Sequence, residues 1–442
     1  MHELHAEAVD LLRRLIACDS SNPPGGEAQA AAVVEDALAG TGIECERVAK
    51  DPERPNLVAR LRGRGTGPSL AFLGHLDVVP ARREDWSVDP FAGIVRDGSV
   101  WGRGAVDMKS QVAATTVALA ALARDGFRPN GDLMLILTAD EEVGDAGVGA
   151  PYLVEARPDL CPDYVVGEGA GERYETPHGA LYLLDCGVKG SAPATLTVHG
   201  TAADASLPGN GESALDELAR LLARLDAHRP ELRVRPELGP LLDALAPGGD
   251  DVEERVARAR AAHPVLGRIV EALTQTVVAA TTARTADTSN IVTDRVEVTV
   301  NCVTVPFTTR EEVERELRAA LGPGRYELEV SDPHGGDLVS PADTPLAEAI
   351  RGFLAERDPE ARLVPALGFG YSDCHAMRES YGSVAYGFIP FRDADPLANM
   401  TTKHGVDERI PIADVGYQVD AALHVARAIG ATARAAARPA AS

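Results

Sequence analysis

Acidic and histidine residues recur where apolar segments of this chain end. His75 and Asp77 follow the apolar residues 70–74. Asp140, Glu141 and Glu142 follow residues 133–139, and Glu168 follows residues 164–167. Ligand sites of open α/β sheets form at the carboxyl ends of strands, so these endings predict one shared crevice. A lone histidine at a strand end is more often a hydrogen-bonded structural residue, but repeated carboxylates at the same place favour a metal site.

A ligand set for two metal ions is available in five residues: His75, Asp107, Glu142, Glu168 and His404. If Asp107 bridges the ions, each ion also receives one imidazole and one glutamate. Room is then left for a water between the ions, and such a water ionises near neutral pH. A neighbouring carboxylate can take its proton as the water attacks a carbonyl group. Adjacent residues of an extended segment point in different directions, so one of Glu141 and Glu142 can be a ligand while the other is the base.

The pattern of apolar residues predicts an α/β unit that positions these side chains. Helix-like and strand-like segments alternate from residue 3 to about residue 190, which is typical of a mixed, mostly parallel central sheet with flanking helices. The pattern then changes to a compact α+β arrangement, with a Pro- and Gly-rich insertion at residues 235–250, and the first pattern resumes after residue 333. We therefore predict a catalytic domain at residues 1–187 and 334–442, interrupted by an inserted domain at residues 188–333.

Composition and charge exclude several classes of function. The 442 residues include 43 Lys and Arg against 67 Asp and Glu, and the net charge of −24 disfavours nucleic acid as a partner. No apolar stretch reaches the roughly 20 residues that span a bilayer, so we expect no membrane partner. The amino terminus lacks the order of a secretory signal, and the six cysteines form no CxxC pair, which favours a cytoplasmic location.

Three motifs resemble those of a zinc-dependent family that contains acetylornithine deacetylase, succinyl-diaminopimelate desuccinylase, aminoacylase and bacterial glutamate carboxypeptidase. They are FLGHLDVVPARREDWSVDPFAGIVRDGSVWGRGAVDMKS at residues 72–110, TADEEVG at residues 138–144 and KHGVDERI at residues 403–410. The resemblance covers nearly the whole chain and keeps the five ligand positions in the family's order. It implies a zinc exopeptidase-like catalytic domain and an inserted lid domain that makes a homodimer.

The resemblance also implies a role for each residue of the ligand set. His75 and Glu168 would hold one metal ion, Glu142 and His404 the other, with Asp107 as the bridge. Glu141 would be the general base, and Asp77 would fix the tautomer of His75. The implied cofactors are two divalent ions, with Zn²⁺ as the first choice and Co²⁺ or Mn²⁺ as alternatives. The family's cis peptide bond would fall at Asp107–Met108.

The residues expected to border the substrate are Asp204, Asn290, Val303, Ser372 and Asp373. Two of them depart from the family's pattern. Asp204, four residues before Pro208, stands where most members have a His that helps to stabilise the oxyanion in the partner subunit's active site. Val303 stands where members commonly have an Arg that grips the substrate carboxylate.

These departures leave three interpretations open. In the first, the substrate lacks the usual α-carboxylate or carries an ammonium that pairs with Asp204. In the second, another cation binds the substrate carboxylate; the candidates are Arg284, Lys189, Arg392 and Lys403. In the third, the protein binds metal and ligand without rapid hydrolysis. The leading hypothesis is a metal-dependent amidohydrolase that cleaves an amide bond of a small N-acyl amino acid, dipeptide or related amide. The alternative is a metal-binding member that does a different, non-hydrolytic reaction or acts as a binding protein.

Overall fold

A large mixed sheet and a smaller antiparallel sheet organise the fold. The computed structural model describes residues 2–144, 146–285 and 289–433. The helices of this part are α1 (His2–Ile16), α2 (Ala28–Leu38), α3 (Lys109–Arg124), α4 (Ala150–Ala156), α5 (Ala214–Ala227), α6 (Gly239–Leu245), α7 (Val252–Ala262), α8 (Pro264–Leu273), α9 (Arg310–Leu321), α10 (Pro345–Arg357), α11 (Cys374–Tyr381), α12 (Pro396–Thr402) and α13 (Ile412–Ala431). None of these described helices combines the length and the hydropathy of a membrane span.

The strands of the same part follow in chain order. They are β1 (Glu44–Val48), β2 (Asn56–Leu61), β3 (Leu70–His75), β4 (Ile94–Arg96), β5 (Ser99–Trp101), β6 (Leu133–Thr138), β7 (Tyr164–Thr176), β8 (Gly179–Val188), β9 (Gly190–Ser191), β10 (Ala194–His199), β11 (Ala203–Asp204), β12 (Val277–Thr285), β13 (Ile291–Val292), β14 (Arg295–Thr304), β15 (Tyr326–Val330), β16 (Arg362–Gly368), β17 (Val384–Phe391) and β18 (Arg409–Pro411).

The large sheet carries the strand ends that the sequence singled out. Its strand order, within the described residues, is β1-β2-β6-β3-β7-β17-β8-β16. The neighbours β6, β3, β7 and β17 run parallel to one another, and β16 runs parallel to β8. Antiparallel pairs join β1 to β2, β2 to β6 and β17 to β8. The prediction of a mixed, mostly parallel sheet with flanking helices is therefore confirmed.

Helices cover both faces of the large sheet. One face packs against α1, α2, α3, α10 and α13 in the main hydrophobic core, which includes Leu12, Leu135 and Phe353. The other face packs against α4 and α11 through residues such as Leu153 and Met377. Strands β3 and β6 are buried along their whole length, which accounts for their uninterrupted apolar sequences.

The smaller sheet forms most of the predicted inserted domain. Its strand order is β12-β14-β10-β15, with β9 paired to β14, and its pairs are antiparallel. Along β14 exposed and buried residues alternate, as expected for a sheet with one solvated face. Helices α5 and α9 cover the other face through Leu218, Leu221 and Leu317. The domain limits at residues 187/188 and 333/334 remain predictions.

Helices α6, α7 and α8, which follow the predicted insertion, pack on the large sheet rather than on the smaller one. Their apolar residues, including Leu241, Leu266 and Ile269, share a core with Leu183 of β8 and Val364 of β16. The chain thus leaves the smaller sheet after α5 and returns to it at β12. One segment inside the predicted inserted domain therefore packs on the large sheet.

Lys189, which follows β8 of the large sheet, binds the carboxyl end of α8. Its side chain is buried, and its ammonium donates hydrogen bonds to the carbonyl oxygens of Ala272 and, at 2.9 Å, Gln275. Backbone oxygens at the carboxyl end of a helix lack partners within the helix and carry the negative end of its dipole. Burial lowers the pKa of Lys189 to about 8.

Candidate metal centre

Strand ends position three of the predicted ligands and the predicted base. His75 is the last residue of β3 and lies opposite Thr138, the last residue of β6. Glu168 lies in β7, where the pairing with β17 is irregular. Just beyond β6 the chain turns at Asp140, whose φ of +57° is tolerated better by Asp than by most residues. This turn presents Glu141 and Glu142 to the crevice.

Asp107 and His404 reach the same crevice from loops. Asp107 precedes α3, and His404 follows α12. The Asp107 carboxylate lies between two histidines: Oδ1 is 3.1 Å from His75 Nε2, and Oδ2 is 3.1 Å from His404 Nε2. The Asp107–Met108 peptide bond is cis, as the resemblance implied.

One glutamate lies near each of these two histidines. Glu168 Oε2 lies 3.6 Å from His75 Nε2, and Glu142 Oε2 lies 3.0 Å from His404 Nε2. The Asp107 carboxylate therefore lies between two histidine–glutamate pairs, His75 with Glu168 and His404 with Glu142. Ligand atoms of His75, Asp107 and Glu142 lie within 4.8 Å of one another, and a second group within the same limit joins His75 and Glu168 to Glu141. The predicted base thus lies beside the predicted ligands.

The donor set fits divalent metal ions. Glu142 Oε1 is a buried carboxylate oxygen without a hydrogen-bond partner among the described residues. Such an oxygen is costly to bury unless a cation meets it. Lys403 Nζ lies 3.1 Å from Asp107 Oδ2 and 2.9 Å from Glu168 Oε1, so a cation already faces two of these carboxylates. Two imidazoles and three carboxylates are a set that zinc and similar ions accept.

Asp77 supports the site mainly through the backbone. Its carboxylate accepts hydrogen bonds from the N–H groups of Glu141 (3.2 Å) and Glu142 (3.1 Å) and from the side-chain amide of Asn22 (2.9 Å). His75 Nδ1 lies 3.0 Å from the Asp77 carbonyl oxygen and 3.5 Å from its carboxylate. Burial raises the pKa of Asp77, but hydrogen bonds and the charge of His75 outweigh it and hold this pKa below its usual range.

Asp140 organises the loop that follows the two glutamates. Its Oδ2 accepts hydrogen bonds from the N–H groups of Ala146 (2.9 Å) and Gly147 (3.0 Å), and its Oδ1 accepts one from Asn22 (2.9 Å). Arg54 lies 3.4 Å from the same Oδ1. Asp140 therefore stabilises the loop that follows Glu141 and Glu142.

Glu141 faces the crevice beside the predicted ligands. It lines the cavity together with Glu142 and Glu168. Burial, followed by the charge of Glu168, raises the pKa of Glu141 well above its usual range. A carboxyl group with raised proton affinity suits general acid and base chemistry near neutral pH.

Glu408 is a supporting residue that sequence reasoning missed. Its carboxylate is fully buried. It accepts hydrogen bonds from the guanidinium of Arg103 (2.6 Å) and from the N–H groups of Gly104 (3.0 Å), Val106 (2.7 Å) and Asp107 (3.0 Å). These bonds join the loop that carries Asp107 to the loop that carries His404. The available signal was an acidic residue four positions after His404 in KHGVDERI.

A cavity of about 630 Å³ adjoins these residues, and three of the predicted substrate-side residues lie in or next to its wall. Val303 and its neighbour Asn301 line it from β14, and Ser372 lines it from the turn before α11. Asp373 is buried and accepts a hydrogen bond from the hydroxyl of Thr138 at 2.6 Å. Asp373 therefore supports the end of β6.

Asp204 and Asn290 lie elsewhere in the described structure. The short strands β11 and β13 pair, and the Asn290 carbonyl oxygen accepts a hydrogen bond from the N–H of Ala205 at 3.0 Å. Both residues are exposed, and neither is among the described residues that line the cavity. The Asp204 carboxylate accepts hydrogen bonds from the N–H and hydroxyl of Ser206. Their predicted contacts with substrate remain predictions.

The four cations considered as substitute anchors also divide into two groups. Lys189 and Lys403 line the cavity. Arg284 and Arg392 are exposed and do not belong to the described lining.

A sequence profile of peptidase family M20/M25/M40 matches residues 71–428, a range that includes all five predicted ligands. The chain belongs to this family. The family resemblance inferred from the three motifs is therefore confirmed. The M20 family consists of hydrolases that act on amide and peptide bonds.

Curated M20 relatives include succinyl-diaminopimelate desuccinylases. That of Parvibaculum lavamentivorans is 37% identical over 231 residues, which are 50% of this chain and 55% of that protein. The chain thus spans little more than half the length of this relative. That of Paracoccus denitrificans is 27% identical over 418 residues, which are 92% of this chain and 94% of that protein.

Solved M20 structures share the fold. An M20 family metallo-carboxypeptidase from Sulfolobus solfataricus has a TM-score of 0.72 at 19% identity, over 97% of this chain and 100% of that chain. Human carnosine dipeptidase 1 has a TM-score of 0.68 at 19% identity, over 96% and 98% of the two chains. These likenesses agree with the mixed α/β architecture described above.

Proposed function

We propose that this M20 family member uses two divalent metal ions, with Zn²⁺ as the first choice, to hydrolyse an amide bond of a small N-acyl amino acid, dipeptide or related amide. The observation that carries the proposal is the position of Asp107. Its Oδ1 lies beside His75, which is near Glu168, and its Oδ2 lies beside His404, which is near Glu142.

Residues of this chain account for the proton transfers of such a reaction. When bound, the metal ions would lower the pKa of a water molecule and polarise the substrate carbonyl group. Glu141 takes a proton from the attacking water and returns it to the leaving amine. Asp77 holds the backbone of Glu141 and Glu142, and Glu408 holds the backbone of Asp107.

The cavity supports a small and atypical substrate. A volume of about 630 Å³ is in the usual range of small-molecule sites. Val303 lines this cavity where the family commonly has an arginine, and an aliphatic side chain cannot hold a carboxylate. We therefore propose a substrate without the usual carboxylate anchor at this position.

A homodimer through the smaller sheet is part of the same proposal. In the described residues β12 is an edge strand of nine residues, and nearly all of its side chains are exposed. Unpaired N–H and C=O groups of an edge strand invite another chain. A cytoplasmic location is supported by the six cysteines, all of which are free thiols.

Replacement of the base tests the proposed function. We expect Glu141→Gln to keep the wild-type metal content, measured by mass spectrometry, and to lose about 10²–10⁴-fold in kcat for N-acyl amino acids and dipeptides. The matched control is Glu175→Gln, at an exposed position of β7, which should keep wild-type activity. Full activity of Glu141→Gln would contradict the proposal.

A second candidate function is ligand binding without hydrolysis. It is favoured by the replacement of the family's usual histidine and arginine with Asp204 and Val303. It predicts metal-dependent binding of amides by the wild-type protein with no release of free amine. Amine release that depends on Glu141 would exclude it.

A further inference from the structure

We propose that the end of the cavity formed by Asp185 and Glu172 is a subsite for a cationic group of the substrate, either an ammonium or a guanidinium. The inference rests on the proposed function for the bond that is cleaved. It adds the chemical class of the substrate, which neither the fold nor the ligand set supplies.

Alternate residues of two neighbouring strands build this end of the cavity. On β7 the lining includes Glu168, Ala170, Glu172 and Tyr174, and on β8 it includes Leu183, Asp185 and Gly187. This spacing is the two-residue period of a strand, with one face turned to the cavity. At about 3.3 Å per residue, Glu172 lies up to roughly 13 Å along the strand from the ligand Glu168. Neither Glu172 nor Asp185 belongs to the groups of possible metal ligands found among the described residues.

Asp185 is a deeply buried carboxylate with incomplete hydrogen bonding. It is 7% exposed, and glycines surround it closely: a Cβ at Gly169 would lie 2.8 Å from its Oδ2. Oδ2 accepts a hydrogen bond from the N–H of Ala170 at 2.9 Å. No hydrogen bond to Oδ1 is found among the described residues, and Asp185 lines the cavity. A carboxylate at this depth needs a donor or a cation from the cavity side.

Glu172 adds a second carboxyl group near Asp185, and burial raises the pKa of Glu172 above its usual value. Its Oε2 accepts a hydrogen bond from the hydroxyl of Tyr174 at 3.3 Å. Burial, reinforced by the charge of Glu172, raises the pKa of Asp185 to about 7, although the hydrogen bond from Ala170 and the charges of Arg378 and Lys403 oppose this rise. A bound cation between the two carboxylates would favour their ionised forms.

The cations that line the cavity are engaged elsewhere. Lys189 is bound to carbonyl oxygens at the end of α8, and Lys403 contacts the carboxylates of the metal centre. Arg378 donates to a serine hydroxyl and a backbone carbonyl. In the described part of the chain, none of these three cations has a nitrogen within 4.0 Å of a carboxylate oxygen of Asp185 or Glu172, the limit for an ion pair. A cationic group of the ligand can therefore pair with these two carboxyl groups.

An apolar wall accompanies the acidic end. Val188, Val265, Ile269 and Leu367 line the same cavity. Such a wall suits a methylene chain, and the two carboxylates suit a positive group at the end of that chain. The substrate class is therefore an amide with an alkyl chain that ends in a cation.

Nα-acetyl-L-lysine and Nα-acetyl-L-norleucine test the subsite, because the second compound lacks the terminal ammonium. With zinc-loaded protein we expect kcat/KM, measured by release of the free amino acid, to be about tenfold or more higher for the lysine compound. Asp185→Asn and Glu172→Gln should each lower this ratio towards one. Asn at position 185 keeps an oxygen for the N–H of Ala170. Glu175→Gln, on the same strand and exposed, should keep the wild-type ratio.

Binding measurements separate this inference from the proposed function. Zinc-loaded Glu141→Gln protein is titrated calorimetrically with both compounds, and the titration is repeated with the added substitution Asp185→Asn. Tighter binding of the lysine compound that disappears in the double variant supports the subsite, whether or not the wild-type enzyme hydrolyses either compound. Equal binding of both compounds, or binding of neither, overturns the subsite. Hydrolysis of both at equal rates also overturns it and leaves the hydrolase proposal intact.

Discussion

Three backbone N–H groups and one guanidinium converge on the carboxylate of Glu408. We expect Glu408→Gln to lower the free energy of unfolding by about 2–4 kcal/mol, because the new amide turns a donor towards donors in a buried site. Metal affinity should fall about 10–100-fold, since the loop of Asp107 loses its support. Chemical denaturation and competition with a chromophoric chelator measure the two effects.

The control for this substitution is Glu360→Gln at an exposed position. It should change neither the unfolding free energy nor the metal affinity. Wild-type metal affinity in Glu408→Gln would show that the Asp107 loop holds its geometry without this carboxylate.

Val303 permits a second prediction about single residues. An arginine in its place would project into the cavity and could pair with a carboxylate of the substrate. We expect Val303→Arg to raise kcat/KM for N-acyl amino acids about tenfold relative to the matching decarboxylated amides. Val303→Met, which adds length without charge, is the control. An unchanged ratio in Val303→Arg would place the carboxylate of the substrate elsewhere.

The grouping of the predicted ligands in one crevice could be predicted from the sequence, and the residues that support them could not. His75, Glu142 and Glu168 follow apolar strands, and the motifs added Asp107 and His404. The contacts of Glu408 are with backbone groups about 300 residues away, and a sequence does not display such partners. The same holds for the partners of Asp77, whose carbonyl oxygen lies nearer to His75 Nδ1 than its carboxylate does.

At the scale of elements, Lys189 holds the end of α8. We expect Lys189→Met to leave two carbonyl groups without a donor and to cost about 1–3 kcal/mol of stability. Hydrogen exchange should quicken at residues 264–275 more than elsewhere, because the loss is local to this helix end. Lys50→Met, at an exposed lysine, should leave both quantities unchanged. Uniform exchange in Lys189→Met would contradict a local role.

Regular amphipathic elements can be predicted from the sequence. Helix α9 and strand β15 are of this kind, because their apolar positions follow one period throughout. Strand β16 is harder to predict, because Pro365 interrupts its apolar run; a proline is tolerated there since β16 is an edge strand of the large sheet. Strand β1 is mostly exposed and polar, and helices α11 and α12 are short. Such elements are decided by tertiary contacts.

For the whole molecule, the edge strand β12 leads to a prediction about assembly. We expect the wild-type protein to sediment as a dimer. Ala280→Lys should raise the dissociation constant of this dimer about tenfold or more, since the lysines of the two paired β12 strands would meet near the twofold axis of the dimer. Ala6→Lys, at an exposed position of α1, is the control and should sediment as the wild type. A monomeric wild-type protein would overturn the proposed homodimer.

Helices α6, α7 and α8 have a mechanical consequence for the whole molecule. Because they belong to the core of the large sheet, the polypeptide passes between the two sheets four times, near residues 188–194, 228–238, 273–277 and 330–339. A hinge motion of the smaller sheet would have to bend four connecting segments together, whereas a domain inserted at one point of the chain has only two such segments. We therefore expect the smaller sheet to move less freely than one joined by two connections, so that the existing opening of the cavity limits the size of the molecules that enter.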